Sequence, residues 1–591
     1  MTEPQSHKLA NIARQELKRT ALRREILFSD SEKALEMILE APSPATLIQS
    51  FPDQDLYYLT HKIGVHDFTP VLALANSKQW EYVLDVEVWD DDRLDTAMMT
   101  QVFSQLFKAD PQRLLRWAIK EKPDFLEFFL FHNMTIVVRE HDEVPPEDFD
   151  DYITLDDKFY FRFPDKAVVN DPEGKILPSE TPENHMPHED APELIENMLK
   201  ALAEMDLSVF HGLLLETPAL LPAETEEEQF RLKNIRLAEK GFAPPHEAVG
   251  IYQPIPTLRK RPGSAGQDRE FDPDIPLPPQ FFTQFISGDN LFAQALSLVE
   301  ATGNVLGLDN ELAALLNKII SADRIKIRNR ESIEKPMEKA MAFLSLGLEV
   351  LLGEQVGEKV SVEAAAGLIR NYFLEDIFRT GSRTGIKLRT RAKTWYENSF
   401  MQKNNLPLSF LGEAYLGVIG GLMIQRPMFF ADYADKELYR HFNSIKDIRA
   451  TDRLLSEIIS LDEFLGQLPI DMSTFTHGVL TYKSMLLTLW VRHRIGLDTG
   501  ASPSLAPVPL SRFKPFFKAL FEGTPHISET KAKDLAFWAA EVSNDSPPNL
   551  PAPLQGVLYA LVREVEDEYG SVAGQSIDPR FMPLFLLTPD A

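Results

Sequence analysis

Between Ser43 and Asn133, six small polar or acidic residues each stand just ahead of a short apolar-periodic segment: Ser43, Asp53, Asp67, Ser77, Asp92 and Asp110. Residues of this kind start helices because a side-chain oxygen accepts a bond from a backbone N–H that the helix itself leaves unpaired. Starts this close together allow only short helices, and short helices hold only when they stack on one another. Proline follows Ser43 and Asp110, where it suits the first helical position. Asp53 opens a segment through Leu56, Tyr57 and Leu59 that stops at Gly64, and Asp67 precedes FTPVLALAN. Ser77 precedes KQWEYVLDVEVW, Asp92 precedes a segment with Leu94, Met98, Val102 and Phe103, and Asp110 precedes PQRLLRWAIK. Starts at 43, 67 and about 91, with others at 53 and 77, describe a two-helix unit of roughly 24 residues.

After Asn133 the pattern changes. A TIVV segment leads into EHDEVPPEDFDDYITLDDKFYFRF, with nine acidic residues between Glu140 and Asp157. In its second half Tyr152 and Thr154, then Phe159, Phe161 and Phe163, alternate on either side of Asp156-Asp157-Lys158, which describes a β-hairpin. Clustered carboxylates can hold a hard cation, but the glycine and closing glutamate of an EF-hand loop are missing. The run is therefore read as a solvated acidic loop, and no metal is assigned. Proline, glycine and charge mark loops or linkers from about 165 to 192 and from about 252 to 279. Between them lie LIENMLKALAEM and TEEEQFRLKNIRLAEKGF, with Gly241 placed to end a helix in the left-handed conformation. The expected organisation is a short-helix repeat domain (1–139), an acidic insertion with a β-hairpin (140–191), a helical segment (192–250), a proline-rich linker (251–279) and a C-terminal helical domain (280–591).

Composition narrows the classes of function. Single cores stop growing near about 250 to 300 residues, so 591 residues imply more than one. With 44% apolar residues the chain can fill them. A formal charge of -28, from 61 basic and 89 acidic residues, disfavours nucleic acid and anionic membrane surfaces as partners. The absence of cysteine excludes disulfides, thiolate metal sites and cysteine nucleophiles. The N-terminal segment is charged and amphipathic with no apolar core of a secretory signal, and the longest apolar run, around Tyr415 to Ile424, is bounded by Glu413 and Arg426. That run is read as a buried core helix, and the expected location is the cytoplasm.

The segments DLYYLTHKIG and QWEYVLDVEVW, with RLAEKGFAPPHEAV at Arg236 to Val249 and LIRNYFLEDIFRTG at Leu368 to Gly381, resemble a family of large soluble bacterial proteins classed as a domain of unknown function. Residues 46–131 are also similar, more faintly, to the cytosolic helical domain of MgtE-type magnesium transporters and to flagellar motor-switch helices. The chain departs from the transporters in having no membrane span. The first resemblance implies no activity, cofactor or catalytic residue, and the second implies an architecture alone. The expected fold is thus mainly α: a short-helix superhelical stack, HEAT-like or MgtE-N-like, plus a second helical domain, with a small β-hairpin insertion.

Few residues point to chemistry. His185 and His188 stand beside Glu183, Glu189 and Asp190 in a proline-rich loop with no helix to align them, and HEAVG at His246 lacks the second histidine of a zinc protease motif. No serine-hydrolase elbow or phosphate-binding P-loop occurs. Gly417, Gly420 and Gly421 form GxxGG in an apolar run, a pattern of close helix packing. The strongest constellation is basic: Arg370, Arg379, Arg383, Lys387, Arg389, Arg391 and Lys393 cluster with only Glu375 and Asp376 against them, and Arg324, Lys326, Arg328 and Arg330 form a smaller group. Arginine forks match phosphate and carboxylate oxygens, and GSRTG could present N–H groups to an anion at a helix start. The competing reading is pairing with the chain's own carboxylates.

The first expectation is a cytosolic helical scaffold whose concave face binds a protein partner, with no cofactor. The alternative is an enzyme or sensor that holds a phosphorylated small molecule at Arg370, Arg379, Arg383, Lys387, Arg389 and Arg391. Nucleic-acid binding ranks third: it needs a contiguous basic stripe and aromatic platforms, and Trp395 and Tyr396 are nearby, but the overall charge opposes it. No residue is assigned a catalytic role.

Overall fold

Short helices follow one another closely at the N-terminal end, and three of them, those that begin at Ser77, Thr96 and Pro111, start at a side-chain cap. The computed structural model describes residues 18–139, 152–163, 169–170, 176–177, 189–261, 279–282, 286, 290–301, 307–326, 330–353, 361–434, 436–470, 480–498, 504–543, 549–572 and 576–590. Residues 18–28 are helical and lead into α1 (Ser31–Leu39), α2 (Pro44–Gln49), α3 (Asp53–Ile63), α4 (Thr69–Leu74) and α5 (Ser77–Glu87). A reciprocal box between Asn76 and Gln79 caps α5, one residue ahead of the serine marked in the sequence. After α5 come α6 (Thr96–Ala109), α7 (Pro111–Glu121) and α8 (Pro123–Asn133). Asp95 accepts from Met98 N–H and Asp110 from Arg113 N–H, each at 3.0 Å.

One start falls elsewhere than expected. Asp92 caps no helix: it lies in the turn between β1 (Trp89–Asp90) and β2 (Arg93–Leu94), an antiparallel pair. The turn places Asp91 at a φ of 55°, a conformation that aspartate tolerates better than most residues. The segment after Asn133 forms a three-stranded sheet ordered β3 (Thr135–Val138), β5 (Phe159–Arg162), β4 (Ile153–Thr154), all antiparallel. The hairpin across Asp156-Asp157-Lys158 is present, and the TIVV segment adds the third strand. Phe159, Tyr160 and Phe161 are buried, and His211 Nε2 lies 2.6 Å from Asp156 Oδ2, which ties the turn to a later helix. Residues 140–151, and with them most of the acidic run, lie outside the described residues, as do His185, His188 and Arg328. Two short strands, β6 (Val169–Asn170) and β7 (Ile176–Leu177), pair antiparallel.

The next helices are α9 (Ala191–Met205), which packs on α7 and α8, α10 (Leu207–Glu216), which packs on α9, and α11 (Pro222–Glu239), which packs on α8. Beyond α11, Gly241 adopts a φ of 85°, and a Cβ there would meet the Ala314 backbone at 3.0 Å, so glycine is required on both counts. Then come α12 (Leu291–Glu300), α13 (Leu308–Ala322), α14 (Arg330–Leu352), α15 (Val362–Asn371) and α16 (Leu374–Asn398). The fold is mainly α, with sheets of two or three strands only among the described residues.

The chain divides into two compact units. Unit 1 comprises Met1–Met341 and Ser361–Asp376, and unit 2 comprises Ala342–Val360 and Ile377–Ala591. In unit 1, α12 packs along α15, and Trp80 and Trp117 meet edge to face at 5.7 Å in the α5–α7 core. In unit 2, a Cβ on Gly381 would lie 2.1 Å from Phe343 O, and one on Gly347 would lie 2.0 Å from Ile377 O. The two helix segments therefore cross at backbone contact. The buried helix α17 (Gly412–Met423) corresponds to the apolar run, and its glycines pack against a hairpin of β8 (Phe429–Phe430) and β9 (Tyr439–Arg440). Gly417 faces the Phe430 ring, and Gly420 and Gly421 face Tyr439. Two further helices, α18 (Ile445–Gln467) and α19 (Ala552–Tyr569), pack together, and α18 also packs on α17. No single helix among the described residues is long and apolar enough to cross a membrane.

Candidate functional site

Helix α11 is rich in charge along its length, yet one of its faces is an inward one. Gln229, Phe230, Lys233, Arg236, Leu237 and Lys240 follow the three-and-four spacing that aligns residues along a helix. Gln229 donates to Asp124 at 3.1 Å, Phe230 packs on Trp89, and Arg236 makes a bidentate pair with Asp85 at 2.7 Å for both bonds. Lys240 pairs with Asp53, and Glu226 accepts from Leu94 N–H at 2.9 Å, which fastens the β1–β2 hairpin to the helix. Long cationic side chains laid over apolar surface thus serve where leucines would be expected.

Between this face, the hairpin and the end of α13 lies a cavity of about 530 Å³. Trp89, Met98, Phe230, Leu237, Phe242 and Ile320 supply its apolar wall. Both its volume and its lining suit a metabolite-sized molecule. Its carboxylates are mostly matched already. Asp85 is held by Arg236, and its pKa is raised by burial against the pull of that arginine. Asp91 pairs with Arg324 at 3.2 Å, and Lys326 pairs with Asp90 next to it. Glu87 accepts from Tyr57 Oη at 2.7 Å, and Asp95 is engaged as the α6 cap.

Lys233 is different. Its Nζ lies 4.6 Å from the Trp89 ring centroid and 5.2 Å from that of Phe230, and among the described residues no carboxylate lies within ion-pair reach of it. Burial pushes its ammonium down from 10.5 to about 8, while the charges of Asp85, Asp91 and Asp92 pull it back only in part. The Trp89 indole N–H is also buried and has no hydrogen-bond partner among the described residues. A cation on two aromatic faces, with its own carboxylate missing, can take an anionic group from a ligand, or act as an amine when neutral.

The comparisons with known proteins give a family. A model described as a family of unknown function, DUF6178, matches residues 11–588. The chain belongs to this family. No curated protein and no solved structure matches it. Two of the segments that carry the resemblance in the sequence, QWEYVLDVEVW and RLAEKGFAPPHEAV, both line the cavity, through Asp85, Glu87 and Trp89 and through Leu237, Phe242 and His246.

The basic cluster read from the sequence is spread over both units. Arg370 stands exposed near the end of α15 in unit 1, and Arg379, Arg383, Lys387, Arg389 and Arg391 lie on the part of α16 that belongs to unit 2. GSRTG is helical throughout, since α16 starts at Leu374, so its N–H groups do not open a helix; Gly381 is instead a point of backbone contact. Arg383, Lys387 and Arg391 share one exposed row at four-residue spacing, whereas Arg389 projects from another face, with its Nε buried and without a hydrogen-bond partner among the described residues. Arg391 bonds Asp452 and, at 2.9 Å, Ser456. The acids thought to oppose the cluster have other partners: Asp376 is fully buried against Arg259, and Glu375 holds Lys318 at 2.8 Å. Of the smaller basic group, Arg324 and Lys326 pair with the chain's own carboxylates at the rim of the cavity.

Sequence reasoning passed over Lys233 and Trp89. The lysine sits in a stretch of charges that reads as a solvated face, and strands of two residues are too short to leave a period. The available signal was Trp89 followed by three aspartates, an aromatic just ahead of a turn.

Proposed function

We propose that the protein binds a small organic anion with an apolar body in the unit 1 cavity, with Lys233 supplying the charge that the anion meets. The carrying observation is the contrast among the cations around this cavity: Arg236, Arg324 and Lys326 each hold a carboxylate, and Lys233 holds two aromatic rings. A carboxylate or phosphate entering here would gain a charge-assisted bond to Nζ, while Trp89, Phe230 and Phe242 cover the rest of the molecule. The expectation of a protein partner rests on architecture, whereas the cavity offers named groups at defined distances, and this places the small ligand first.

The test is a thermal-shift screen of the full chain against aromatic and aliphatic carboxylates and phosphorylated metabolites, repeated with Lys233→Met. A ligand at about 100 times its dissociation constant stabilises by about 2.7 kcal/mol. The reading expects at least one such shift in the natural sequence and its loss in the variant. A panel that shifts neither protein, or shifts both equally, refutes it.

A further inference from the structure

We propose that Lys233 is a reactive amine that condenses with the carbonyl group of a small aldehyde or ketone held in the unit 1 cavity. This rests on the cavity being a ligand site and adds covalent chemistry to it. A lysine becomes a nucleophile when its nitrogen is neutral and unoccupied, and a neighbouring carboxylate works against both conditions. Elsewhere in unit 1, Lys122, Lys240, Lys318 and Lys339 are each held by an acid, Glu81, Asp53, Glu375 and Asp323. The nitrogen of Lys233 instead rests on the Trp89 and Phe230 rings, beside a cavity of about 530 Å³ with room for the carbonyl compound. Burial acts in the same direction, since the group's pKa near 8 leaves an appreciable neutral fraction at physiological pH.

The step balances without an outside reagent. The amine lone pair adds to the carbonyl carbon, a C–N bond forms, and the C=O pair moves to oxygen. The nitrogen then gives up its two protons, the oxygen departs with them as water, and an imine remains. No oxidant or reductant is consumed. The ammonium form has no lone pair, so it first gives its third proton to water, and the neutral amine is the species that adds.

The experiment treats the full chain with benzaldehyde and with short aliphatic aldehydes under sodium cyanoborohydride, which reduces an imine to a stable secondary amine. Peptide mass spectrometry then maps the adducts. The expected result is Lys233 modified at least tenfold more than the paired Lys240 and Lys326, with the preference suppressed by a competing ketone of similar size. Labelling spread over exposed lysines, or absent from Lys233, overturns the proposal. Because the reading is taken on the natural sequence, it does not depend on any variant folding. Benzoate in the same preparation, followed by thermal shift, separates the two readings. Stabilisation by benzoate with Lys233 unlabelled keeps the anion site and rejects the amine chemistry. Selective labelling without stabilisation by any carboxylate supports the amine chemistry and rejects the anion reading.

Discussion

Asp55 is 1% exposed, and its two oxygens accept the backbone N–H groups of Gln280 and Phe281 at 2.9 to 3.0 Å. The Phe281 ring stacks on Tyr58 at 5.0 Å, so Asp55 and, one turn further along α3, Tyr58 together hold Gln280 and Phe281 on that helix. Burial pushes the Asp55 carboxyl up from 3.8 to about 7, with the two backbone bonds and Arg23 working the other way. The folded chain therefore keeps this proton to a higher pH than the unfolded chain does. The resulting contribution favours folding fully below about pH 4 and is lost as pH rises to about 7. Asp55→Asn keeps an acceptor for both N–H groups and cannot ionise, so its stability relative to the natural sequence should rise between those pH values, by on the order of 4 kcal/mol. Urea unfolding of both proteins at pH 4.5, 6 and 7.5 measures this difference directly, and parallel curves would mean that Asp55 ionises at an ordinary pH. Nothing around Asp55 in the sequence marks it apart from Asp53, two positions earlier. Its role depends on residues more than two hundred positions away, and no local pattern encodes such a partner.

At the level of elements, helix boundaries were the most legible part of the sequence. Ser43, Asp110 and Gly64 bound helices, Asp110 through a side-chain cap, because the groups that decide a helix end lie within a few residues of it. Helix α11 was harder to read as a docked element, because the inward face around the buried Gln229 and Leu237 is filled out by the half-buried Lys233, Arg236 and Lys240, whose polarity hides the period that apolar residues would show. The geometry of the basic cluster was hard to read for a related reason: spacing along a sequence shows which residues share a helix face only once the helix boundaries are known. With GSRTG inside α16, Arg383 and Arg389 point different ways, and the glycines serve packing. Gly381→Ala tests this. Its Cβ would fall 2.1 Å from Phe343 O, a backbone atom that can yield only if the helix segments separate. A loss of about 1 to 3 kcal/mol is expected, as for other overpacked interiors. Gly466→Ala, at a helical position with open space around it, should instead gain a few tenths to about 1 kcal/mol. Paired denaturation curves decide between packing and a permissive hinge at Gly381: equal effects of the two substitutions would remove the packing account.

On the scale of the whole molecule, composition and pattern indicated a mainly α chain with more than one core, and the family match spans nearly its full length. The path of the chain between the compact units was not legible, because it passes from one to the other within α14 and α16, where helical periodicity runs on without a break. The consequence for unit 1 is that its last segment, Ser361–Asp376, comes after the first stretch of unit 2. That segment is firmly held. Ala365, Ala366 and Ile369 are fully buried where α15 meets α12, Arg261 N–H donates to Asn371 O at 2.8 Å, and Arg259 binds the buried Asp376 through its side chain and its own N–H. A chain ending at Met341 would lose all of this. Ile369 and Leu374 each bury an apolar side chain at about 1.5 to 3 kcal/mol, and exposing the α12 face adds to the loss. The total is a sizeable part of the roughly 5 to 15 kcal/mol that holds a typical domain. Residues 1–341 alone should therefore melt early and broadly by circular dichroism, with α12 exchanging its amide protons quickly. A synthetic peptide of residues 361–376, added in excess, should restore protection in α12 because it refills the same groove and returns Asp376 to Arg259. If residues 1–341 melt as sharply as the full chain and α12 is already protected, the segment only decorates unit 1 and the discontinuity carries no energetic weight.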